Sequence, residues 1–143
     1  MKPEVSAEIE KRSAEGNGLC EEGRYKDAIA KWGQALRLIP DPKTRWKAST
    51  WLYTSLGDAY FQLQQFGECR AACMDALNCP DGVGNPFIHL RLGQACLELG
   101  DEVRAADELA RAYMGGGKEL FDEDSEYWQF ITSKLKPPAS GEW

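Results

Sequence analysis

The chain has 143 residues, of which 43% are hydrophobic, and a formal net charge of −6. A chain of this size and composition can bury a single hydrophobic core and does not have the composition of a disordered protein. Its acidic excess disfavours binding to nucleic-acid phosphates, and no apolar run is long enough to cross a membrane.

The cysteines and the start of the chain predict a cellular compartment. The five cysteines are an odd number, and residues 1–16 contain no apolar segment of the kind found in signal peptides. Free thiols persist in a reducing environment. We therefore expect unpaired cysteines and a cytoplasmic location.

One pattern of residues, anchored on a glycine, occurs three times. Twelve residues after Gly16, Gly57 and Gly93 comes a small residue, sixteen after comes a large apolar or sulfur-containing residue, and nineteen after comes alanine. In chain order these residues are Ala28, Trp32 and Ala35, then Cys69, Cys73 and Ala76, then Ala105, Leu109 and Ala112. Agreement at three offsets in three places indicates an internal repeat.

Each copy of the repeat is predicted to be a pair of helices. A polar, turn-like segment interrupts each copy, and the apolar residues on either side of it recur every three or four positions, which is the helical period. A helix–turn–helix unit cannot bury its apolar stripe alone, so neighbouring units must stack. The turn-like segments lie at 21–25, 62–66 and 98–102, and the predicted units span about 9–42, 43–83 and 86–118.

The first and second units are separated by an insertion. The first two anchor glycines are 41 residues apart and the second two are 36 apart, and the additional residues fall at 43–49. Pro40 and Pro42 end the preceding helix, and no helix-breaking residue follows them. We predict that the first helix of the second unit is longer by about two turns and projects beyond its neighbours. Arg45 and Trp46 would belong to a basic, partner-specific extension; alternatively, they form a solvated helix end with the tryptophan packed on a neighbour.

The segment after the third unit is predicted to close the domain. The glycines at 115–117 predict a flexible break. The segment at about 122–135 has an apolar helical face and residues at its start that can cap a helix. A terminal unit needs a cover, so this segment is predicted to be a seventh, capping helix. The domain would then span 1–135, and residues 136–143, which contain two consecutive prolines, would form a tail.

The repeat resembles the tetratricopeptide repeat family over about residues 9–118. In the second unit Leu56, Gly57 and Tyr60 match the Leu-Gly-x-x-Tyr motif of that family, whereas a leucine or a cysteine replaces the tyrosine in the other two units. The resemblance implies an all-α, right-handed solenoid. It also implies that the first helices of the units line a concave groove, which receives a peptide, loop or helix of a partner protein.

The residues predicted to face this groove include aromatic side chains and an arginine, which are the residue types that most often anchor protein interfaces. The candidate partner-binding residues are Asn17, Trp51, Ser55, Asp58, Phe61, Phe87, Arg91 and Gln94, together with Arg45 and Trp46 outside the groove. We expect Trp51 and Arg91 to be accessible. Replacing either with alanine should then leave the melting temperature nearly unchanged.

One subset of this family clamps the acidic carboxyl terminus of heat-shock chaperones with two asparagines, two lysines and an arginine. Asn17 and Arg91 match that set, but Ser13, Ser55 and Phe87 occupy the other three positions. Without the lysines, a partner carboxylate would meet too little positive charge. Binding of an acidic chaperone tail is therefore not expected.

No group of residues predicts catalysis or a metal site. The single histidine, His89, lies in a predicted helix, where we expect a structural role, and no nucleophile elbow, phosphate-binding loop or metal signature occurs. Cys69 and Cys73 are one helical turn apart, but they occupy packing positions, where cysteine behaves as a small apolar residue. We expect no enzymatic activity, no cofactor and no metal ion.

Taken with the resemblance, the sequence predicts a non-catalytic protein-interaction module, an adaptor or scaffold, that is a monomer or a weak dimer. The alternative is a dedicated inhibitor, of the immunity-protein type, that neutralises a single toxic partner; compactness and acidity suit that role. An adaptor should bind segments of several proteins at micromolar affinity. An inhibitor should bind one protein at nanomolar affinity.

Overall fold

Helices account for all the regular structure in the computed structural model, which describes residues 1–143. Short polar turns join the helices into three successive pairs, and a shorter helix follows. The helices are α1 (Pro3–Glu21), α2 (Tyr25–Leu38), α3 (Lys47–Gln62), α4 (Phe66–Leu77), α5 (Pro86–Glu98), α6 (Glu102–Gly116) and α7 (Ser125–Lys134). Two 3₁₀ segments, Lys43–Arg45 and Lys118–Phe121, lie in the connections. None of these helices is both long enough and apolar enough to pass through a bilayer.

The helix pairs stack in chain order. The two helices of each pair pack most extensively on each other, and adjacent pairs meet where α2 packs on α3 and α4 packs on α5. The first helices α3 and α5 also contact each other, and α7 packs on α6. The predicted all-α solenoid of three helix pairs is confirmed. The division into units at about 9–42, 43–83 and 86–118 stays a prediction, and α1 begins at Pro3, before the first of those boundaries.

The repeated glycines explain why the two helices of a pair approach so closely. A Cβ added at Gly57 would lie 2.8 Å from the Cys73 sulfur, and one added at Gly93 would lie 2.6 Å from Cγ of Leu109. Both contacts are shorter than a real Cβ tolerates, so only glycine fits. Gly16 faces Trp32 in the same way in the first pair.

The small residues of the repeat form the floor of each helix contact. Each of these residues is completely buried. Small side chains at such contacts allow the axes of two packed helices to lie about 8–10 Å apart. They are Ala28, Ala35, Cys69, Ala76, Ala105 and Ala112. The offsets read from the sequence therefore coincide with the packing register of all three pairs.

The predicted elongation of the second unit's first helix is wrong. Trp46 has an extended backbone (φ −111°, ψ 133°), and α3 begins only at Lys47. The indole N–H of Trp46 donates a hydrogen bond to the Pro40 carbonyl oxygen (2.9 Å), and the Lys43 ammonium donates one to the Ile39 carbonyl oxygen (3.1 Å). These bonds fold the insertion back onto the end of α2 as a 3₁₀ turn. With 16 residues, α3 is shorter than the 19-residue α1.

The predicted flexible break at the glycines 115–117 is also wrong. Gly115 and Gly116 are the last residues of α6, and the chain leaves the helix at Gly117, whose φ is +78°. A Cβ at Gly115 would lie 3.1 Å from Cβ of Pro86, and a Cβ at Gly116 would overlap the Leu120 side chain. These two glycines therefore serve close packing inside a helix.

The carboxyl-terminal residues fold back onto the last helices. The Trp143 ring packs on the rings of Tyr113 (5.8 Å between centroids) and Trp128 (5.7 Å). The Tyr113 hydroxyl also donates a hydrogen bond to the Trp143 carbonyl oxygen (2.9 Å). Tyr127 and Ile131 of α7 are buried in the same cluster, so α7 and the tail together cover the exposed side of α6.

Candidate functional site

The first helices of the pairs carry all the predicted groove residues. Asn17 lies on α1, four of the candidates lie on α3, and the remaining three lie on α5. The structure separates them into two groups: an apolar pocket between α1 and α3, and a charged cluster between α3 and α5. Ser55 is half-buried on α3 and lines neither pocket nor cluster.

The apolar pocket has a volume of about 290 Å³. Its most exposed large side chain is Trp51, which is 44% accessible and packs edge-on against the buried Trp32, with centroids 6.2 Å apart and planes at 89°. The lining residues are Ile9, Glu10, Ser13, Ala14, Asn17, Ala48, Trp51 and Leu52. The pocket therefore offers a partner an indole face surrounded by aliphatic carbons and only one charge.

Asn17 has a structural contact in addition to its place in this pocket. The indole N–H of Trp32 points at the Asn17 side-chain oxygen (3.2 Å) and at the Ser13 carbonyl oxygen (3.3 Å). Because a buried indole N–H needs an acceptor, Asn17 helps to satisfy the core tryptophan. Its amide oxygen is already used within the chain.

The charged cluster is centred on Arg91, which is buried, contrary to the expectation that it would be accessible. Its guanidinium donates to the Asp58 carboxylate through two nitrogens (both 2.9 Å) and to the Gln94 side-chain oxygen (2.8 Å). The same group lies over the Phe61 ring (4.2 Å to the centroid) and the Phe87 ring (4.9 Å). Arg91 thus bridges α5 to α3, with its charge neutralised by Asp58 and its guanidinium in contact with both phenylalanine rings.

The other two predicted residues, Arg45 and Trp46, lie apart from the groove in the 3₁₀ turn. Arg45 is exposed and approaches the Trp46 ring (5.8 Å to the centroid). The Trp46 side chain is half-buried and packs on the first hydrophobic cluster, which corresponds to the second of the two readings of this segment. It is not part of a projecting helix.

Two further pockets, beside α7 and the segment that leads into it, were missed by sequence reasoning. One has a volume of about 410 Å³ and lies between the end of α3, the turn into α4, the end of α5 and the start of α7. The other, of about 220 Å³, lies between α5 and the segment that leads into α7. They share Asp124. Their other acidic residues are Glu98, Glu119, Glu123 and Glu126.

The signal for these pockets was present in the sequence as the acidic run at 122–126. The sequence pattern predicts only that this run begins a capping helix. Sequence spacing could not show that the run would fold next to the groove, because its position depends on how the connection at 117–124 packs.

Tyr127 links the capping helix to the third pair. Its hydroxyl donates a hydrogen bond to the Glu98 carboxylate (2.8 Å). Burial, and next the hydrogen bond to Glu98, raise the pKa of Tyr127 far above its ordinary value. The phenol therefore stays protonated and holds Glu98 at the edge of the larger acidic pocket.

His89 is buried and forms structural contacts, as predicted. One ring nitrogen lies 2.6 Å from the Glu108 carboxylate, and the other donates to the Val83 carbonyl oxygen (2.7 Å). Glu108 also accepts a hydrogen bond from Arg104 (3.0 Å). Both ring nitrogens are occupied, so His89 ties α5 to α6 and to the preceding loop. No three histidine, cysteine or acidic residues lie close enough together to hold a metal ion.

Comparison with known sequences gives one curated relative. No family model matches the chain. Human tetratricopeptide repeat protein 12 is 30% identical over 84 residues, which are 59% of this chain and 11% of that protein. The chain therefore spans about a tenth of the length of this relative.

Several solved structures of tetratricopeptide repeat domains and co-chaperones are similar to the chain. The first repeat domain of Spaghetti (RPAP3), bound to the HSP90 peptide SRMEEVD, has a TM-score of 0.69 at 21% identity, with 87% of this chain and 93% of that chain covered. The Hsp90 co-chaperone Cns1 from Saccharomyces cerevisiae has a TM-score of 0.72 at 19% identity, with 93% and 43% covered. The type III secretion chaperone SycD from Yersinia enterocolitica, in complex with a peptide of the translocator YopD, has a TM-score of 0.68 at 15% identity, with 87% and 90% covered. The tetratricopeptide repeat fold predicted from the sequence is confirmed.

Proposed function

We propose that this chain, which has the tetratricopeptide repeat fold, is a non-catalytic interaction module that binds a segment of a partner protein on the face formed by its first helices. The observation that carries the proposal is the exposed Trp51 ring over an apolar pocket on that face. An exposed tryptophan beside a concave apolar surface is the arrangement found at the centre of protein interfaces.

The structural neighbours support a peptide as the kind of ligand. The Spaghetti domain binds an HSP90 peptide, and SycD binds a peptide of YopD. The helix pairs of this chain are packed through buried glycines and alanines, so the face is formed before a partner arrives. A preformed surface avoids much of the ordering cost of binding.

The absence of catalysis is part of the proposal. The single histidine is held by Glu108 and Val83, and four of the five thiols are buried. Neither group is positioned beside one of the groove pockets. The five free cysteines are also the support for the predicted cytoplasmic location, which stays a prediction.

The experiment that tests the proposal is affinity capture from the native cell extract with three matched baits. The baits are the wild type, Trp51→Ala, and Val103→Ala, which removes an apolar side chain from α6 that is more exposed than Trp51 (86% against 44%). We expect the wild type and Val103→Ala to capture the same partner. Trp51→Ala should bind this partner at least about tenfold more weakly, which corresponds to the roughly 1.4 kcal/mol or more expected of an interface anchor. Mass spectrometry identifies the partner, and thermal melting confirms that all three baits are folded.

Equal capture by Trp51→Ala and wild type would contradict the proposal. The number of partners distinguishes an adaptor from the alternative of a dedicated inhibitor: several weakly held proteins indicate an adaptor, and one tightly held protein indicates an inhibitor. No structural observation favours the inhibitor.

A further inference from the structure

We infer that the groove selects a partner segment in which lysine or arginine residues flank an apolar side chain. This inference rests on the proposed function and adds the chemical class of the partner. It is opposite in charge to the HSP90 peptide SRMEEVD, which is bound by the similar Spaghetti domain. Three observations lead to it: the state of Arg91, the charges of the pockets, and the position of the apolar pocket.

The only cation that lines a groove pocket cannot serve an acidic ligand. Arg91 already pairs with Asp58, and its guanidinium is covered by two phenylalanine rings. Only 8% of its side chain is accessible. Releasing this guanidinium to a peptide carboxylate would leave Asp58 without its partner, which offsets the gain from the new ion pair.

The remaining charged side chains that line the three pockets are negative. The apolar pocket has one carboxylate at its edge, the two pockets at the other end have five, and no further cation lines any of the three. These residues are Glu10, Glu98, Glu119, Glu123, Asp124 and Glu126. Lys118, which is close to them in sequence, lies over the Trp128 ring instead (5.5 Å to the centroid).

The arrangement of these groups sets the order of features in the ligand. The apolar pocket, with Trp51, Ile9 and Leu52, lies at the α1–α3 end of the face, and the acidic pockets lie at the α5–α7 end. A bound segment would place an apolar side chain against Trp51 and its basic residues next to Asp124. The negative field also accelerates association with a basic ligand and repels an acidic one, more strongly at low salt.

The direct test is selection from a library of random-sequence peptides with free carboxyl termini, using the full chain as bait. We expect enrichment of peptides that combine lysine or arginine with an aromatic or large aliphatic residue. Enrichment of acidic or neutral sequences would overturn this inference and leave the proposed function standing. No enrichment at all would contradict the proposed function itself.

The location is tested with the most enriched peptide and a charge-matched pair of double variants. Glu123→Gln/Glu126→Gln removes one carboxylate from each acidic pocket, and Glu68→Gln/Glu102→Gln removes two exposed carboxylates from the second helices α4 and α6. Three of these four residues lie in the first turn of a helix, so the two pairs carry similar structural risk. Both double variants change the net charge equally.

We expect the first double variant to raise Kd by about two- to tenfold and to reduce its dependence on salt, and the second to leave Kd unchanged. Trp51→Ala should also weaken the binding of this peptide. If the two double variants weaken binding equally, the affinity depends only on the net charge of the protein. That result would overturn the assignment to the groove. An unchanged Kd in the first variant would overturn it as well.

Discussion

At the scale of the residue, Arg91 shows how one side chain can be assigned to the right surface and still be given the wrong role. It lies on the first helix of its pair, as the repeat requires, but its guanidinium is bound to Asp58, 33 positions away in the sequence. No sequence spacing within one chain predicts a pair so distant. Burial of the charge follows from this pairing and from the two phenylalanine rings, which stack on a planar cation.

We therefore predict that Arg91→Ala destabilises the fold, in place of the unchanged melting expected from the sequence. The substitution opens a cavity between Phe61 and Phe87 and leaves Asp58 unpaired, so the free energy of unfolding should fall by about 1–3 kcal/mol. Arg45→Ala, which removes an exposed arginine, should change it by no more than about 0.5 kcal/mol. Urea denaturation of both variants measures the difference. Equal free energies of unfolding for the two variants would show that the Arg91 cluster contributes nothing to stability.

At the scale of the element, the helix pairs were predictable because small residues at fixed offsets mark the positions where the two helices of a pair contact each other. Larger side chains would collide at Gly57, at Gly93 and at the alanines of the repeat. The sequence pattern therefore follows directly from the packing of the helices. The 3₁₀ turn at Lys43–Arg45 was not predictable in the same way. It depends on the hydrogen bond from Trp46 to Pro40 and on packing against the first cluster, which are tertiary contacts.

The helix contact of the third pair gives a prediction with an internal control. Gly93→Ala should destabilise the protein by about 1–3 kcal/mol, because the new methyl group would overlap the Leu109 side chain. Gly18→Ala, in α1, meets no atom within 4 Å and should stabilise the protein by a few tenths to about 1 kcal/mol through its higher helix propensity. Calorimetric melting of both variants tests the register; a Gly93→Ala protein that melts with the Gly18→Ala protein would show that the register is wrong.

At the scale of the whole molecule, thiols distributed through the core couple stability to pH. Burial raises the pKa of Cys79 and Cys96, and for Cys73 a hydrogen bond with Cys69 acts first and burial second. A raised folded-state pKa means that the folded protein holds its protons more tightly than the unfolded chain. The stability from this source is fully present below the unfolded thiol pKa of about 8.5 and is lost as the pH rises through the folded values.

We accordingly expect the urea midpoint, measured under reducing conditions, to fall steadily as the pH is raised from about 8 to about 9.5. Cys73→Ala lacks one of these thiols, so its midpoint should fall less over the same range, whatever its stability at neutral pH. Identical slopes for the two proteins would exclude Cys73 as a source of the effect.

The candidate site was predictable only in part. The exposure of Trp51 was predicted correctly. Position 51 is on a first helix but is not one of the positions at which the repeat packs its helices, so its side chain is not needed in the core. The acidic pockets were not predicted, since Asp124 and Glu126 reach the groove only through the packing of the segment before α7. That packing involves Phe121 and Tyr127, which are distant in sequence from the groove helices.

Photo-cross-linking from position 51 shows directly whether a partner segment occupies this face. A photoreactive phenylalanine analogue is placed at position 51 or at position 103, the exposed site on α6, and each protein is irradiated with its captured partner or selected peptide. If the partner lies in the groove, position 51 gives a cross-linked product and position 103 gives none. Cross-linking from position 103 alone would place the partner on the second helices and contradict binding in the groove.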